Sequence, residues 1–190
     1  MTSEELKQGM FRLGTRRFSI VTELMIKSIK QFGESQNMFH DLYDRLNNVR
    51  VEVKFSVVRA NLNPMTTDNI LEGIQHELEM DREVPFLFWE KFKFGCNIQQ
   101  VKKSEFDVLY YGLFFDDCIK IFRIDPINID GEIGYSDKQH KGNVGEGQFH
   151  ITHKNLRYHL DNFYQQTISY EELLCIINDN KRSTLEEFFS

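Results

Sequence analysis

Two carboxylates and one ammonium group lie close together in the sequence between positions 41 and 54. Asp41 belongs to the segment His-Asp-Leu-Tyr-Asp, and Glu52 and Lys54 belong to Val-Arg-Val-Glu-Val-Lys-Phe-Ser. Carboxylate oxygens bind hydrated Mg²⁺, and a nearby ammonium group can stabilise negative charge that develops on a phosphate. If these three side chains share one surface, their chemistry suits hydrolysis of a phosphodiester bond.

Residues 49–57 determine which of these side chains point the same way. The odd positions of this segment are apolar, and the even positions include Glu52 and Lys54. Strict alternation of this kind predicts a half-buried β-strand with one apolar and one polar face. Glu52 and Lys54 are therefore expected on the polar face.

The pair Asn47-Asn48 in front of this strand predicts a tight turn, because asparagine tolerates left-handed backbone. A two-residue turn would place Asp41 opposite Lys54 on the polar face, with Asp44 on the apolar side. A change of one residue in the turn would exchange the two aspartates. The sequence therefore favours Asp41 and leaves Asp44 as the alternative.

Ordinary surface ion pairing is the competing interpretation of this pattern. The same acid-x-lysine spacing occurs at residues 5–7, in a predicted helix, and at residues 179–181, in a polar tail. Only Glu52 and Lys54 lie on an apolar strand with an aspartate across a predicted hairpin. That context favours a functional site.

This pattern resembles the active-site hairpin of the PD-(D/E)xK nuclease superfamily, and within it that of the type II restriction endonucleases. The resemblance implies that Asp41 and Glu52 bind Mg²⁺ and that Lys54 positions or activates the attacking water. His40 stands where the family name has proline. This departure is common in the family.

Two further stretches are similar to parts of the same family. Gly-Thr-Arg-Arg-Phe-Ser-Ile-Val-Thr-Glu-Leu-Met-Ile resembles the helix that carries an additional acidic residue near the metal, here Glu23. Residues 97–111 resemble the core strand pair that follows the Glu-x-Lys strand, whose glutamine, here Gln99, points into the site. The resemblance covers about residues 14–124.

The family resemblance implies a magnesium-dependent, sequence-specific endonuclease. It would act on double-stranded DNA as a homodimer and leave 5′-phosphate ends. Two alternatives remain open: a repair or junction nuclease of the same fold, and a DNA-binding or assembly module without catalytic activity. The complete set of Asp41, Glu52 and Lys54 favours an enzyme.

The length and hydrophobic patterning predict one α/β domain over residues 1–190, and the resemblance implies that it is a nuclease domain. Two hairpins and a strand at 148–151 are expected to form a restriction-endonuclease-like mixed central sheet flanked by helices. The predicted hairpins cover residues 38–59 and 106–124, and the predicted helices cover residues 3–12, 15–32, 66–79, 155–164 and 170–178.

Composition limits the class of protein. Aromatic residues make up 13% of the chain, which favours a packed core over disorder. The cysteines Cys96, Cys118 and Cys175 are widely spaced, so neither a zinc site nor a disulfide framework is indicated. Neither a signal peptide nor a transmembrane stretch is recognisable, which predicts a cytoplasmic protein without a membrane partner.

The net charge of −6 argues against binding to DNA unless the charge is unevenly distributed. Acidic residues are concentrated in residues 67–90, whereas residues 135–160 are rich in lysine, histidine and glycine. The latter segment forms much of a long loop of a kind that often serves function. It is the predicted DNA-recognition segment, with candidate contacts at Lys138, Gln139, His140, Lys141, Gln148 and Lys154.

Overall fold

A computed structural model describes residues 1–62, 64–79, 82–137 and 146–189. The helices are α1 (Ser3–Arg12), α2 (Thr15–Lys30), α3 (Ile70–Glu79), α4 (Leu156–Asn162) and α5 (Tyr170–Phe189). The strands are β1 (Gly33–Glu34), β2 (Leu42–Asp44), β3 (Val49–Val57), β4 (Gly95–Val101), β5 (Val108–Phe114), β6 (Ile119–Ile124), β7 (Gly147–Thr152) and β8 (Tyr164–Ile168).

Six of these strands form a central sheet in the order β1-β2-β3-β5-β6-β8. β3 and β5 are parallel, and every other neighbouring pair is antiparallel. The sheet is therefore mixed, and the two predicted hairpins, β2–β3 and β5–β6, lie side by side within it. The α/β class and the mixed central sheet flanked by helices are confirmed.

The two faces of the sheet carry different layers. Helices α1, α2 and α5 cover one face, where Met25, Ile26 and Leu173 pack against the sheet residue Phe114. The β4–β7 ribbon and α4 cover the other face, where Phe149 is one of the packed residues. β5 is buried along its whole length because it lies between both layers.

The strand predicted at 148–151 exists, but its placement in the central sheet was wrong. It belongs to β7, which pairs with β4 as a separate two-stranded sheet. Along β4, Cys96 and Ile98 are buried whereas Asn97 and Gln99 are exposed. One side of the ribbon therefore packs on the core and the other faces solvent, which is the usual arrangement of a half-buried antiparallel pair.

Local signals located the helix starts well. Ser169 and Glu172 form reciprocal bonds at the start of α5: the backbone NH of Ser169 donates to the Glu172 carboxylate at 2.6 Å, and the backbone NH of Glu172 donates to the Ser169 hydroxyl at 3.1 Å. These bonds satisfy two NH groups that the helix itself leaves unpaired. Within the part of the chain that the structure describes, no helix is both long enough and apolar enough to cross a membrane.

Candidate active site

The β2–β3 hairpin turns over four residues, so the predicted two-residue turn was wrong. Tyr43 lies opposite Arg50 and Asp44 lies opposite Val49. The Asp44 carboxylate explains the wider turn, because it accepts backbone hydrogen bonds from Leu46 at 3.0 Å and from Asn47 at 3.1 Å. An aspartate that bonds to the backbone two and three residues ahead stabilises such a turn locally.

The error in register is two residues, and it leaves the predicted face of Asp41 unchanged. Side chains alternate along a strand, so only an odd shift exchanges the faces. The backbone NH of Asp41 donates to the carbonyl of Val51 at 3.1 Å, which extends the pairing beyond β2. The side chain of Asp41 therefore lies on the same face of the hairpin as those of Glu52 and Lys54. The Asp44 carboxylate instead accepts hydrogen bonds within the turn.

Asp41, Glu52 and Lys54 meet in space, as the sequence predicts. The Lys54 ammonium lies 2.5 Å from Oε1 of Glu52 and 3.7 Å from Oδ2 of Asp41. The same Oδ2 accepts the backbone NH of Val53 at 2.8 Å, which fixes the Asp41 carboxylate against β3. We call these three residues the charged cluster.

Burial within the charged cluster is uneven. Glu52 is buried, and its Oε2 has no hydrogen-bond partner among the described residues. Burial, together with the charge of Asp41, raises the pKa of Glu52 to about 7, although Lys54 opposes the increase. The Glu52 carboxyl therefore exchanges its proton near neutral pH in the absence of a bound cation.

Lys54 keeps its proton in this environment. Burial alone would lower the pKa of its ammonium group, but the charges of Glu52, Asp41 and Glu23 outweigh that effect and raise the pKa. A permanently charged lysine can stabilise an anion. It is poorly suited to accept a proton from water.

Glu23 on α2 lies beside the charged cluster. Burial is the main reason that its pKa is raised, and the negative charge of Asp41 adds to the increase. The resemblance implied an acidic side chain near the metal at this position. Its role beside a metal ion stays a prediction.

Gln99 is not part of the charged cluster. It is exposed on β4 and lines a small cavity with Ser56 and Cys96, near the end of β3 that follows Lys54. Residues 97–111 were expected to form a pair of core strands. This prediction was wrong for β4, which lies outside the central sheet, and right for β5. The catalytic role of Gln99 stays a prediction.

The predicted DNA-recognition residues are only partly described. Lys138, Gln139, His140 and Lys141 lie outside the described residues. Gln148 is on β7, where its backbone exchanges two hydrogen bonds with Ser136, and Lys154 is exposed just after β7. Their contact with DNA stays a prediction.

The face of the sheet that carries the charged cluster is the one covered by the β4–β7 ribbon. Glu52 and Lys54 are register partners of Leu109 and Tyr111, which belong to the core under that ribbon. Gln148 and Lys154 therefore lie on the same side of the sheet as the charged cluster.

The carboxylates fit a lightly coordinated divalent cation. The described residues contain no group of three or more acidic, histidine or cysteine side chains close enough to enclose a metal ion. Mg²⁺ does not require such a cage, because it commonly binds one or two carboxylates and keeps several waters. Asp41 and Glu52, with the unpartnered Oε2 of Glu52, meet that smaller requirement.

Comparisons with known proteins add no assignment. No family model, no curated protein and no solved structure matches the chain. Any proposal about function therefore depends on the charged cluster and its surroundings.

Two features near the charged cluster were missed by sequence reasoning. Arg50 and Asp107 form a bidentate ion pair, with Nη2 of Arg50 at 2.8 Å from Oδ1 of Asp107. His40 is buried, and its Nδ1 has no hydrogen-bond partner in the part of the chain that the structure describes. The alternation of residues 49–57 could have placed Arg50 on this face, but no local signal connects it to Asp107.

Proposed function

We propose that the chain is a magnesium-dependent endonuclease that hydrolyses phosphodiester bonds in double-stranded DNA, in the manner of a type II restriction enzyme. The observation that carries the proposal is a buried glutamate with one unpartnered oxygen, next to an aspartate and a protonated lysine. Sites that perform chemistry often contain carboxyl groups with strongly shifted pKa values beside a specific charge partner.

Asp41 and Glu52 would hold Mg²⁺ by their carboxylate oxygens. When bound, the ion supplies an acidified water and positive charge near the phosphate. Asp41 is fixed for this task by the backbone NH of Val53. Glu52 is positioned by β3, which is hydrogen-bonded to strands on both sides.

Lys54 would contribute charge. Its ammonium group is only partly exposed and lies between the two carboxylates, so a phosphate bound beside them would receive a charge-assisted hydrogen bond. Such an interaction strengthens as negative charge develops on the phosphate oxygens in the transition state.

Glu52 makes the affinity for a cation depend on pH. The metal-binding form is the carboxylate, and a pKa of about 7 leaves much of the free protein protonated below neutrality. Cation binding must then displace a proton. We expect Mg²⁺ affinity to increase as the pH rises toward 8.

The surface for DNA would include the β4–β7 side of the molecule. Gln148 and Lys154 share the side of the sheet on which the charged cluster lies. A homodimer with two-fold symmetry would present one charged cluster to each strand of a duplex.

The direct test is incubation of the purified protein with a long DNA, with Mg²⁺ or Mn²⁺ and with excess chelator. The proposal expects discrete fragments with Mg²⁺, no cleavage in chelator, and binding without cleavage in Ca²⁺. Full cleavage in excess chelator, or none with either metal, would overturn it. Smeared products or cleavage only at branched DNA would favour a repair or junction nuclease.

One observation favours a non-catalytic DNA-binding or assembly module as the second candidate. Lys54 lies within 2.5 Å of Glu52 and so already neutralises one carboxylate of the charged cluster. In that case Asp41→Asn would leave DNA binding and all measured activities unchanged. Loss of Mg²⁺-dependent cleavage in this variant would exclude the second candidate.

A further inference from the structure

A cavity of about 680 Å³ opens beside the charged cluster, on the side of the hairpin turn. Its lining includes His40, which directly precedes Asp41, and Arg50, which lies two residues before Glu52 on the same face of β3. Two residues of a strand span about 7 Å. A molecule bound at the charged cluster can therefore extend into the cavity.

His40 gives the cavity a buried polar atom that requires a partner. The side chain is 6% exposed, and its Nδ1 makes no hydrogen bond to any described residue. Buried polar atoms are nearly always hydrogen-bonded, and a bound ligand would supply the missing partner here.

The charges around the cavity argue against a phosphate as the occupant. Arg50 is fully engaged with Asp107, whose oxygens accept from its Nε at 3.0 Å and from its Nη2 at 2.8 Å. Glu34, which also lines the cavity, forms an ion pair with Lys27 at 2.8 Å, and Arg45 adds only a weaker attraction to it. Both carboxylates at the cavity are therefore already paired, and Arg45 is the one lining guanidinium without a close ion pair among the described residues. One such group is weak support for a phosphate as the main occupant.

The same lining suits a neutral ring that carries both donors and acceptors. Gln36 and Asn37 provide exposed amides at the rim. The rings of His40 and Tyr43 lie with centroids 5.9 Å apart and planes tilted by 37°, and both border the cavity. Amide groups read the edges of bases, and aromatic rings stack on their faces.

We infer that this cavity binds the base of an unpaired nucleotide adjacent to the phosphate held at the charged cluster. The inference rests on the proposed action on nucleic acids and specifies the substrate further. A base that is paired within a duplex cannot enter a lateral cavity, so the nucleotide must be single-stranded or turned out of the helix.

Equilibrium binding in excess chelator tests the inference without metal or cleavage. Fluorescence anisotropy would compare a short single-stranded oligodeoxynucleotide with the same sequence in duplex form. We expect the single strand to bind about tenfold more tightly, which is the effect of one good contact to a base. Equal affinities, or tighter binding of the duplex, would overturn the inference.

Two variants locate the effect. Gln36→Ala removes an exposed amide at the rim, and His40→Phe keeps a ring but removes its nitrogens. Each should weaken single-strand binding about tenfold and leave duplex binding unchanged. Gln8→Ala, which removes an exposed amide on α1 over the other face of the sheet, is the matched control and should alter neither. Unchanged single-strand preference in Gln36→Ala would contradict the inference even if His40→Phe fails to fold.

The outcome is separable from that of the proposed function. If the protein never cuts DNA but Gln36→Ala abolishes its preference for single strands, the base-binding cavity is supported and the nuclease proposal is wrong. If the protein cuts DNA with Mg²⁺ but shows no preference for single strands, the nuclease proposal is supported and the base-binding role of the cavity is wrong.

Discussion

Glu52 and His159 each bury a polar atom without a hydrogen-bond partner among the described residues, in very different surroundings. Glu52 lies beside two other charged side chains that are partly exposed. His159 is completely buried, accepts or donates one bond at 2.8 Å with the hydroxyl of Tyr111, and is surrounded by rings such as those of Phe149 and Phe163.

The comparison shows what distinguishes a site from a core. Burial lowers the pKa of His159 to about 4, so the ring is neutral and functions as a packed side chain. Burial raises the pKa of Glu52 to about 7, close to the working range of an enzyme. An unpartnered atom therefore indicates function only where charged neighbours that reach solvent, such as Asp41 and Lys54, lie beside it.

The largest expected effect separates the two aspartates of the hairpin. Asp41→Asn removes a proposed metal ligand with almost no change in shape, so Mg²⁺-dependent cleavage should fall by about three powers of ten or more. DNA binding in Ca²⁺ should persist. Asp44→Asn is the matched control and should cut at nearly the normal rate. An active Asp41→Asn together with an inactive Asp44→Asn would contradict the assignment.

The second prediction concerns the core histidine. Because folding lowers the pKa of His159 from 6.5 to about 4, protonation favours the unfolded chain. The contribution of the neutral His159 ring to the free energy of unfolding is complete above pH 6.5. It falls by about 3 kcal/mol in total as the pH falls toward 4. Denaturant unfolding at several pH values should show this loss.

His159→Gln provides the comparison, since it keeps a polar group for Tyr111 but does not titrate. Its free energy of unfolding should fall less steeply than that of the unaltered protein between pH 6.5 and 4. Parallel curves would mean that the ring is not held neutral by burial.

The third prediction concerns Glu52, whose contribution to stability changes with pH in the opposite direction to that of His159. Folding raises its pKa from 4.5 to about 7, so the stability that its protonated form contributes is complete below pH 4.5. This contribution disappears as the pH rises through 7. Relative to Glu52→Gln, the unaltered protein should lose about 2 kcal/mol between pH 4.5 and 8, a value reduced because solvent screens the neighbouring charges.

The measurement is again denaturant unfolding without divalent cations. Addition of Mg²⁺ at pH 8 should restore stability to the unaltered protein and not to Glu52→Gln, since only the carboxylate binds the ion. A pH-independent difference between the two proteins would show that Glu52 does not titrate in this range.

The smallest change in stability is expected for substitutions at Asp44, which lies outside both the charged cluster and the core around His159. Asp44→Ala removes the acceptor that closes the turn, and Asp44→Asn retains one oxygen. Thermal melts should show a small decrease for alanine and a smaller one for asparagine. A large loss of stability in either variant would mean that the turn, as well as the strands, determines the hairpin.

Local patterns predicted the charged cluster better than they predicted its register. Alternation along residues 49–57 assigned the faces, and these survive an error of two residues in the turn. The turn itself was wrong because the Asp44 carboxylate contributes two bonds that the residue types at Asn47-Asn48 do not indicate.

Pairings between distant segments could not be read from the sequence. β7 alternates apolar and polar residues, which does not reveal that it pairs with β4 outside the central sheet. β8 has too few apolar residues to be recognised as an edge strand. The cavity at His40 depends on Asp107, which approaches Arg50 only after β5 joins β3. Such contacts follow from tertiary packing and not from local preference.

The parallel pairing of β3 with β5 also determines when, during folding, the charged cluster acquires its buried surroundings. Residues 58–107 separate the two strands, and chain entropy makes contacts across so long a segment slow to form. Asp41, Glu52 and Lys54 all precede β5, which supplies Leu109 beside Glu52. A chain still emerging from the ribosome would therefore carry every charged residue of the cluster in a solvated hairpin, and Glu52 would titrate as an ordinary glutamate until β5 is in place.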